Sequence, residues 1–462
     1  MIAYIRFKCT TKTFIALKIF KRILLAVLLI LIVAVFYNYP KLNLISGFAS
    51  KNLASTNYIA NRSYLDITET DNNMPLVKMA RLESSTTTSA IASVYGLMER
   101  ETICREGLGC VLIHEDYDKN QKLLKPNRFQ EPNNLPFPYG NKGTKDTIFE
   151  NIDYDKLDAA VAVAFSNPEV QKTRTVLITY KGEIIAEKYG DGFSEDTPIL
   201  GWSMTKSILA TLYGILEHKG ALDVQEYRPL SQEIRKENPV NSITTNHLLR
   251  MQSGLEWDED YASISDVTKM LFLESDMTKV QAEKKPVSEP EIVWNYSSGT
   301  TNLLSGILRK QFDSYQEYLD FPYATLIDKI GMNSMLIETD MAGNFVGSSY
   351  AWATTRDWAK FGILHLNKGH WNGEQIFSPD WIDYITKPTA NSNGVYGAHW
   401  WLNSGGKYPD APRDLYSANG FQGQRVFIIP SKDLVIVRTG LVGETRGFDS
   451  NAFLKAVVEA VE

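Results

Sequence analysis

Gly201-Trp202-Ser203-Met204-Thr205-Lys206-Ser207 is the stretch around which this 462-residue chain is organised. A polar, glycine-containing loop, Tyr189 to Pro198, leads into it, and an apolar-periodic run, Ile208 to Leu216, follows. The pattern places Ser203 where a loop turns into a helix, with Lys206 one turn on along the same face. A serine that shares a face with a lysine at the positive end of a helix is a candidate activated nucleophile. Ser-x-x-Lys alone carries little weight, since about two matches are expected by chance at this composition. A second match, Ser404-Gly405-Gly406-Lys407, lies in a glycine loop with no apolar helix after it and is set aside.

Working outward, Thr175 to Tyr180, the pair Lys181-Gly182, and Glu183 to Glu187 read as a β-hairpin. Lys156 to Phe165 before it has helical spacing, and the Ser203 helix should stop near Lys219-Gly220. Residues 225–340 read as helical, with segments at Ile243 to Met251, Ser265 to Leu273 and Thr301 to Arg309. Trp294 to Thr300 lies between the last two as a polar turn. Further helices surround Trp358, Phe361, Leu364 and Trp381. Arg425 to Pro430 and Leu434 to Arg438 are strands joined by Ser431-Lys432-Asp433, and Phe453 to Val461 closes as a helix. The predicted class is α/β (α+β): an antiparallel sheet built from the early hairpin and two late strands, flanked by helices, with an all-α subdomain inserted at about 225–345.

The N-terminus has a different character. Residues 1–22 carry six basic residues and no acid, and Ile23 to Tyr37 is an unbroken apolar run. Fifteen residues fall short of the roughly 20 that span a bilayer, but Tyr37 and Tyr39 extend the run as interfacial anchors. The expected division is a basic cytoplasmic segment (1–22), a signal anchor (23–40) favoured over the alternative of a cleaved signal peptide, an extension and linker (41–150), and a catalytic domain (151–462). The excess of basic residues on the N-terminal side then puts the catalytic domain on the periplasmic or extracellular side. The net charge is −6, and without the first 22 residues the body has 42 basic against 54 acidic residues. Such a body lacks the basic face that nucleic acid requires. Of three cysteines, Cys9 lies in the basic segment. Cys104 and Cys110 are close enough for a small disulfide, and two free thiols fit the sequence equally well. The six histidines form no defensible Ser-His-Asp order.

Three motifs in order, Ser203-x-x-Lys206, Tyr296-Ser297-Ser298 and Gly420-Phe421-Gln422-Gly423-Gln424, resemble the serine β-lactamase and penicillin-recognising enzyme superfamily. The likeness is strongest to its class C-like branch of esterases, D-amino-acid peptidases and 6-aminohexanoate-dimer hydrolase. Leu248 to Leu255 and Tyr350 to Thr354 support it, and it covers roughly residues 155–460. The resemblance implies a β-lactamase/DD-peptidase-like fold and an acyl-enzyme route without metal or cofactor. Ser203 attacks, Lys206 takes its proton, and Tyr296 passes the proton to the leaving group. The backbone N–H groups of Ser203 and of Gln424, which follows Gly423, form the oxyanion hole, where each donor is worth roughly 2.7–4 kcal/mol. Two positions depart from the family pattern. Ser298 stands where Asn is usual, and Phe421 stands where Lys or His holds a substrate carboxylate. Both point away from β-lactams towards a small ester or amide. The alternatives are a β-lactamase, a D-amino-acid peptidase, or a catalytically silent binding protein on this fold. Trp202 and Trp294 flank two motifs and are candidates to line the pocket; the other tryptophans read as core.

Overall fold

The structure, a computed structural model, describes residues 2–130, 134–140, 143–226, 243–442 and 447–461. Helix α1 (Ile2–Asn38) is longer than the apolar run alone predicts. Residues 1–39 contain neither Gly nor Pro, so the helix favoured by the apolar run extends through the basic segment at little cost. Asn38, Lys41 and Leu42 keep right-handed helical backbone angles, and a single tight turn containing Pro40 passes the chain into α2 (Leu42–Ala60). After α3 (Tyr64–Glu69) comes an antiparallel sheet of β1 (Ala80–Ser85), β2 (Ser89–Val94), β3 (Leu97–Arg105) and β4 (Gly109–Leu112). Helix α2 packs across this sheet, and a disulfide joins Cys104 and Cys110, which face each other on β3 and β4.

The stretch predicted as a linker forms neither helix nor strand from Asn120 to Gln130, yet it is pinned down. Asn127 bonds to the Asp320 carboxylate through its backbone N–H and its side chain, and Arg128 pairs with Asp328 at 2.6 Å. Residues 131–133 and 141–142 of the predicted extension and linker, and residues 227–242 of the predicted helical insert, lie outside the described residues.

Capped by Asp153, α4 (Tyr154–Ala164) is followed by the short α5 (Pro168–Gln171) and the hairpin β5 (Thr173–Tyr180) and β6 (Glu183–Tyr189). Lys181 and Gly182 at its turn both have positive φ (51° and 78°), the geometry that matches strand twist in two-residue hairpins. Then come β7 (Ile199–Leu200) and α6 (Met204–His218), which begins one residue after Ser203. The middle of the chain supplies α7 (Thr245–Leu249), α8 (Asp266–Leu273), α9 (Ser298–Arg309) and α10 (Tyr315–Pro322). β8 (Leu336–Ile337) and β9 (Ala351–Ala353) complete a small sheet with β7. After α11 (Thr355–Leu366) there are a ribbon of β10 (His370–Trp371) and β11 (Glu374–Gln375), then α12 (Asp380–Thr386). β12 (Trp401–Leu402), β13 (Tyr416–Gly420), β14 (Gln424–Ile429), β15 (Leu434–Gly440) and α13 (Ser450–Glu459) end the chain.

The main sheet has the order β12-β13-β14-β15-β5-β6, all antiparallel. The early hairpin therefore joins the late strands, as predicted, and β12 and β13 extend the edge beyond that expectation. Alternate residues face opposite ways. Val176, Ile178, Phe427 and Ile436 pack towards α4 and α13, while Leu177, Val426, Val435 and Val437 pack towards α6 and α11. Both faces are covered, so these strands read as continuous apolar runs. Each such side chain contributes about 1.5–3 kcal/mol by leaving water.

The extension docks through one buried carboxylate. Glu338, fully buried, accepts from Lys51 Nζ (2.6 Å) and Ser55 Oγ (2.9 Å) on α2. It also accepts from the Cys110 N–H (2.8 Å) and from Trp352 Nε1 (3.1 Å). A second link is Asp71, held down to about pKa 2 by Arg174 and Arg62 against the opposing effect of burial.

Candidate active site

Ser203 is placed by a strained turn. Trp202 before it adopts φ +48°, the left-handed region that a bulky residue occupies only when its surroundings hold it there. The surroundings are β9 and the loop before it. Gly201 N–H donates to Ala351 O (2.8 Å), and the Thr205 hydroxyl donates to Trp202 O and accepts from Ala351 N. Ser203 occupies the N-cap position of α6, yet its side chain makes no capping bond. Its hydroxyl faces Lys206 instead, with Oγ to Nζ at 3.0 Å.

Lys206 is 1% exposed. Its Nζ also contacts Ser298 Oγ (2.9 Å) and the Ser348 carbonyl (2.9 Å). A neutral amine has two N–H groups and one lone pair. Ser298 and Ser348 can take the two hydrogens and leave the lone pair for the Ser203 hydroxyl. Burial draws the amine pKa down to about 8, and the Glu259 carboxylate opposes that drop. The Tyr296 ring lies beside the amine, 4.9 Å from centroid to Nζ. Burial, then the neighbouring Tyr396 and Glu259, raise its phenol well above the ordinary value, while the Ser203 hydroxyl pulls the other way. At rest Tyr296 is therefore a phenol and not a phenolate.

Ser298 does not lie in a polar turn, as predicted. Ser297 caps α9 by accepting from Thr300 N–H, and this starts the helix at Ser298 itself. The Ser298 hydroxyl accepts from Lys206 and donates to Glu259 Oε1 (2.5 Å). Glu259 Oε2 accepts from the Ser298 N–H (2.9 Å) and from Trp257 Nε1. A carboxylate thus sits on the N-terminus of α9, where the helix dipole favours it, one hydroxyl away from the Lys206 amine. The sequence reading missed Glu259. Its only signal was the aromatic and acidic stretch Trp257-Asp258-Glu259-Asp260-Tyr261, which has no helix or strand period.

Two aromatic walls flank the serine. Phe421 stacks on Tyr261 (4.7 Å, 16°) and meets Trp202 edge-on (5.4 Å). The Tyr261 hydroxyl lies among those of Ser298, Ser349 and Ser203 without a well-formed hydrogen bond to any of them. From the extension, Phe48 stacks on the far side of Trp202 (6.2 Å). On the other wall Tyr296 packs against Trp401 (5.2 Å) and Tyr396 (5.8 Å), and Trp294 joins them. Trp202 and Trp294 thus both stand in the walls, as does Trp401, which was expected in the core. Trp400 and Trp358 are core residues.

The third motif closes the site from β13 and β14. A Cβ on Gly420 would lie 2.1 Å from the Gly201 carbonyl oxygen, so only glycine lets this strand end approach the turn that carries Ser203. Gly423 has φ +86°, and its carbonyl accepts from Arg438. The Gln424 side chain does not face the cleft. It is buried and bonds both ways with Gly440, which fixes its backbone. Arg425 spends Nη1 on the Gly420 and Gln424 carbonyls. His399 has both ring nitrogens engaged, by Leu249 O and the Thr301 hydroxyl, and burial draws its pKa down to about 3, so it is neutral.

A family model described as Beta-lactamase matches residues 169–445. The 6-aminohexanoate-dimer hydrolase of Paenarthrobacter ureafaciens is 23% identical over 294 residues, covering 58% of this chain and 72% of that protein. Among solved structures, a family VIII carboxylesterase superposes with a TM-score of 0.54 at 16% identity, over 68% of this chain and 99% of the other. A penicillin-binding protein homologue from Caulobacter crescentus gives 0.53 at 14% identity, over 68% and 99%. The structural likenesses are of fold. The family match spans well over half of the chain, and the chain belongs to the beta-lactamase family as a hydrolase.

Proposed function

We propose that this member of the beta-lactamase family is a membrane-anchored serine hydrolase that cleaves a small ester or amide through an acyl-enzyme on Ser203. The observation that carries this reading is the 3.0 Å contact between Ser203 Oγ and a buried Lys206 amine whose pKa lies near 8. Neutral Lys206 takes the serine proton as Oγ bonds to the acyl carbon. The resulting oxyanion is held by the N–H groups of Ser203 and Gln424. On collapse the leaving oxygen or nitrogen takes a proton from the Tyr296 phenol, which the Lys206 ammonium restores. Water then enters by the reverse route and releases a carboxylic acid. Glu259 and Ser298 position and tune Lys206.

The aromatic walls favour an apolar acyl group. Phe421, packed against Tyr261 and Trp202, offers no charge to a substrate carboxylate, which supports an ester or amide over a β-lactam. Helix α1 reads as the anchor, since its best window has a mean hydropathy of 2.8 and none of it is buried. The Cys104–Cys110 disulfide supports an oxidising, extracytoplasmic side for the catalytic domain. The test is labelling by a fluorophosphonate probe of membranes bearing the full chain or its Ser203→Ala variant. Labelling of the wild type alone is expected, and equal labelling of both would overturn the assignment. A parallel panel of p-nitrophenyl esters, D-amino-acid peptides and a chromogenic cephalosporin ranks the substrate classes.

A further inference from the structure

Strand β3 runs alongside α2 in the same direction, and three contacts fix the register between them. Cys104 Sγ lies 3.7 Å from Ala54 O, Ser50 Oγ donates to Thr102 Oγ1 at 2.8 Å, and Arg100 Nη1 donates to Asn43 Oδ1 at 2.7 Å. Reading β3 backwards towards its hairpin with β2 therefore means reading α2 backwards towards α1. From Arg100 to Leu97 a strand advances about 10 Å. From Asn43 back to Tyr39 a helix covers about 6 Å. The hairpin tip, Tyr95-Gly96-Leu97, thus ends level with the Tyr37–Lys41 collar where α1 becomes α2. In that collar Lys41 Nζ lies 3.8 Å over the Tyr37 ring.

The tip is built in a way its own fold does not require. Tyr95 is 65% exposed, Leu97 45%, and Leu76, beside the start of β1, 54%. Val94 next to them is fully buried and roots the hairpin. Leu76 and Tyr95 have positive φ (71° and 55°), so the backbone holds unfavourable angles in presenting these two side chains to the outside; half-buried Met98 (φ 53°) shares that geometry. Exposed Lys78 and Arg81 flank the patch; the acids near it are exposed Glu83 and Glu99, and farther along β3 Glu101 is paired with Lys119. An exposed tyrosine and exposed aliphatic residues beside basic side chains are a composition that settles at the headgroup level of a bilayer.

We propose that this tip is a second membrane contact, a foot inserted into the bilayer interface beside α1. The proposal rests on the reading of α1 as a bilayer-spanning helix. A single helix leaves a domain free to swivel about its axis, whereas a helix and a foot together fix its azimuth. The foot also fixes a height. Phe48, which stacks on Trp202 next to Ser203, lies nine residues beyond Tyr39, about 14 Å along the axis. The cleft is then held at one distance from the lipid surface.

The test uses the full chain with Cys9→Ser, reconstituted into vesicles of phosphatidylcholine and phosphatidylglycerol. A single NBD fluorophore is attached at Tyr95→Cys, at Leu97→Cys, or at Thr87→Cys in the exposed turn at the opposite end of β2. A lipid nitroxide at acyl position 5 is expected to quench NBD at 95 and 97 at least threefold more than at 87, with a blue-shifted emission. Equal quenching at all three positions, in protein that resists carbonate extraction, would overturn the foot while leaving the anchor intact. Release of the protein by carbonate would overturn both.

Discussion

Replacing Glu259 by Gln isolates the electrostatic part of the site. The Lys206 amine and the Glu259 carboxylate are linked by two hydrogen bonds through Ser298, at 2.9 Å and 2.5 Å. Opposite charges about 5 Å apart in a partly buried site attract by about 3 kcal/mol at an effective dielectric of 20. That is an upper bound of about two pKa units. Gln keeps the shape. Its carbonyl can accept from the Ser298 N–H and Trp257 Nε1, and its NH₂ can donate to a Ser298 hydroxyl that has turned round. With the anion gone, burial acts on Lys206 without opposition, and its pKa should fall from about 8 by one to two units. If neutral Lys206 is the base, about a tenth of the wild-type enzyme is competent at pH 7 and at least about half of the variant. Measured as kcat/KM on a p-nitrophenyl ester from pH 5.5 to 10, the wild-type rate should rise with a midpoint near 8. The Glu259→Gln profile should be displaced to lower pH, with about fivefold more activity at pH 7. A midpoint that stays put or moves up would refute Lys206 as the titrating base.

Three further outcomes follow from the packing. Gly420→Ala puts a methyl against the Gly201 carbonyl and should lower kcat by about a hundredfold, since a shift on the order of 1 Å at the site has that effect; an unchanged kcat would show that β13 does not set the geometry. Glu338→Ala strands the buried Lys51 and should cost about 3–5 kcal/mol in urea unfolding, with much of the loss recovered when Lys51→Met and Glu338→Leu are combined. Cys104→Ser opens the small ring closed by the disulfide and should cost about 2 kcal/mol, with esterase activity per folded molecule unchanged.

The parts of the fold that could be read from the sequence are those specified locally. The β5–β6 hairpin has its turn pair, α4, α8 and α9 have caps and periodicity, and Ser203 stands between a loop and an apolar helix. Other parts depend on distant partners. β13 is five residues long with Ser417 and Asn419 inside it, and it is a strand because β14 pairs with it. Glu259 acts only because its loop folds onto the N-terminus of α9, which no local pattern announces. Phe421 could be read as a missing cation, but its place in an aromatic wall depends on Tyr261 and Trp202 arriving from elsewhere. Residues 41–150 read only as an extension and linker, because a buried Lys51 cannot be told from a surface lysine without its carboxylate.

Glu338 gathers its four donors from α2, β4 and β9, and β9 also holds the turn that carries Ser203. Opening any one of these contacts exposes a buried charge, so the amides of α2 and those of the Ser203 turn should lose hydrogen-exchange protection together, as one foldon. Helix α2 and the turn that carries Ser203 should then behave as a single cooperative unit.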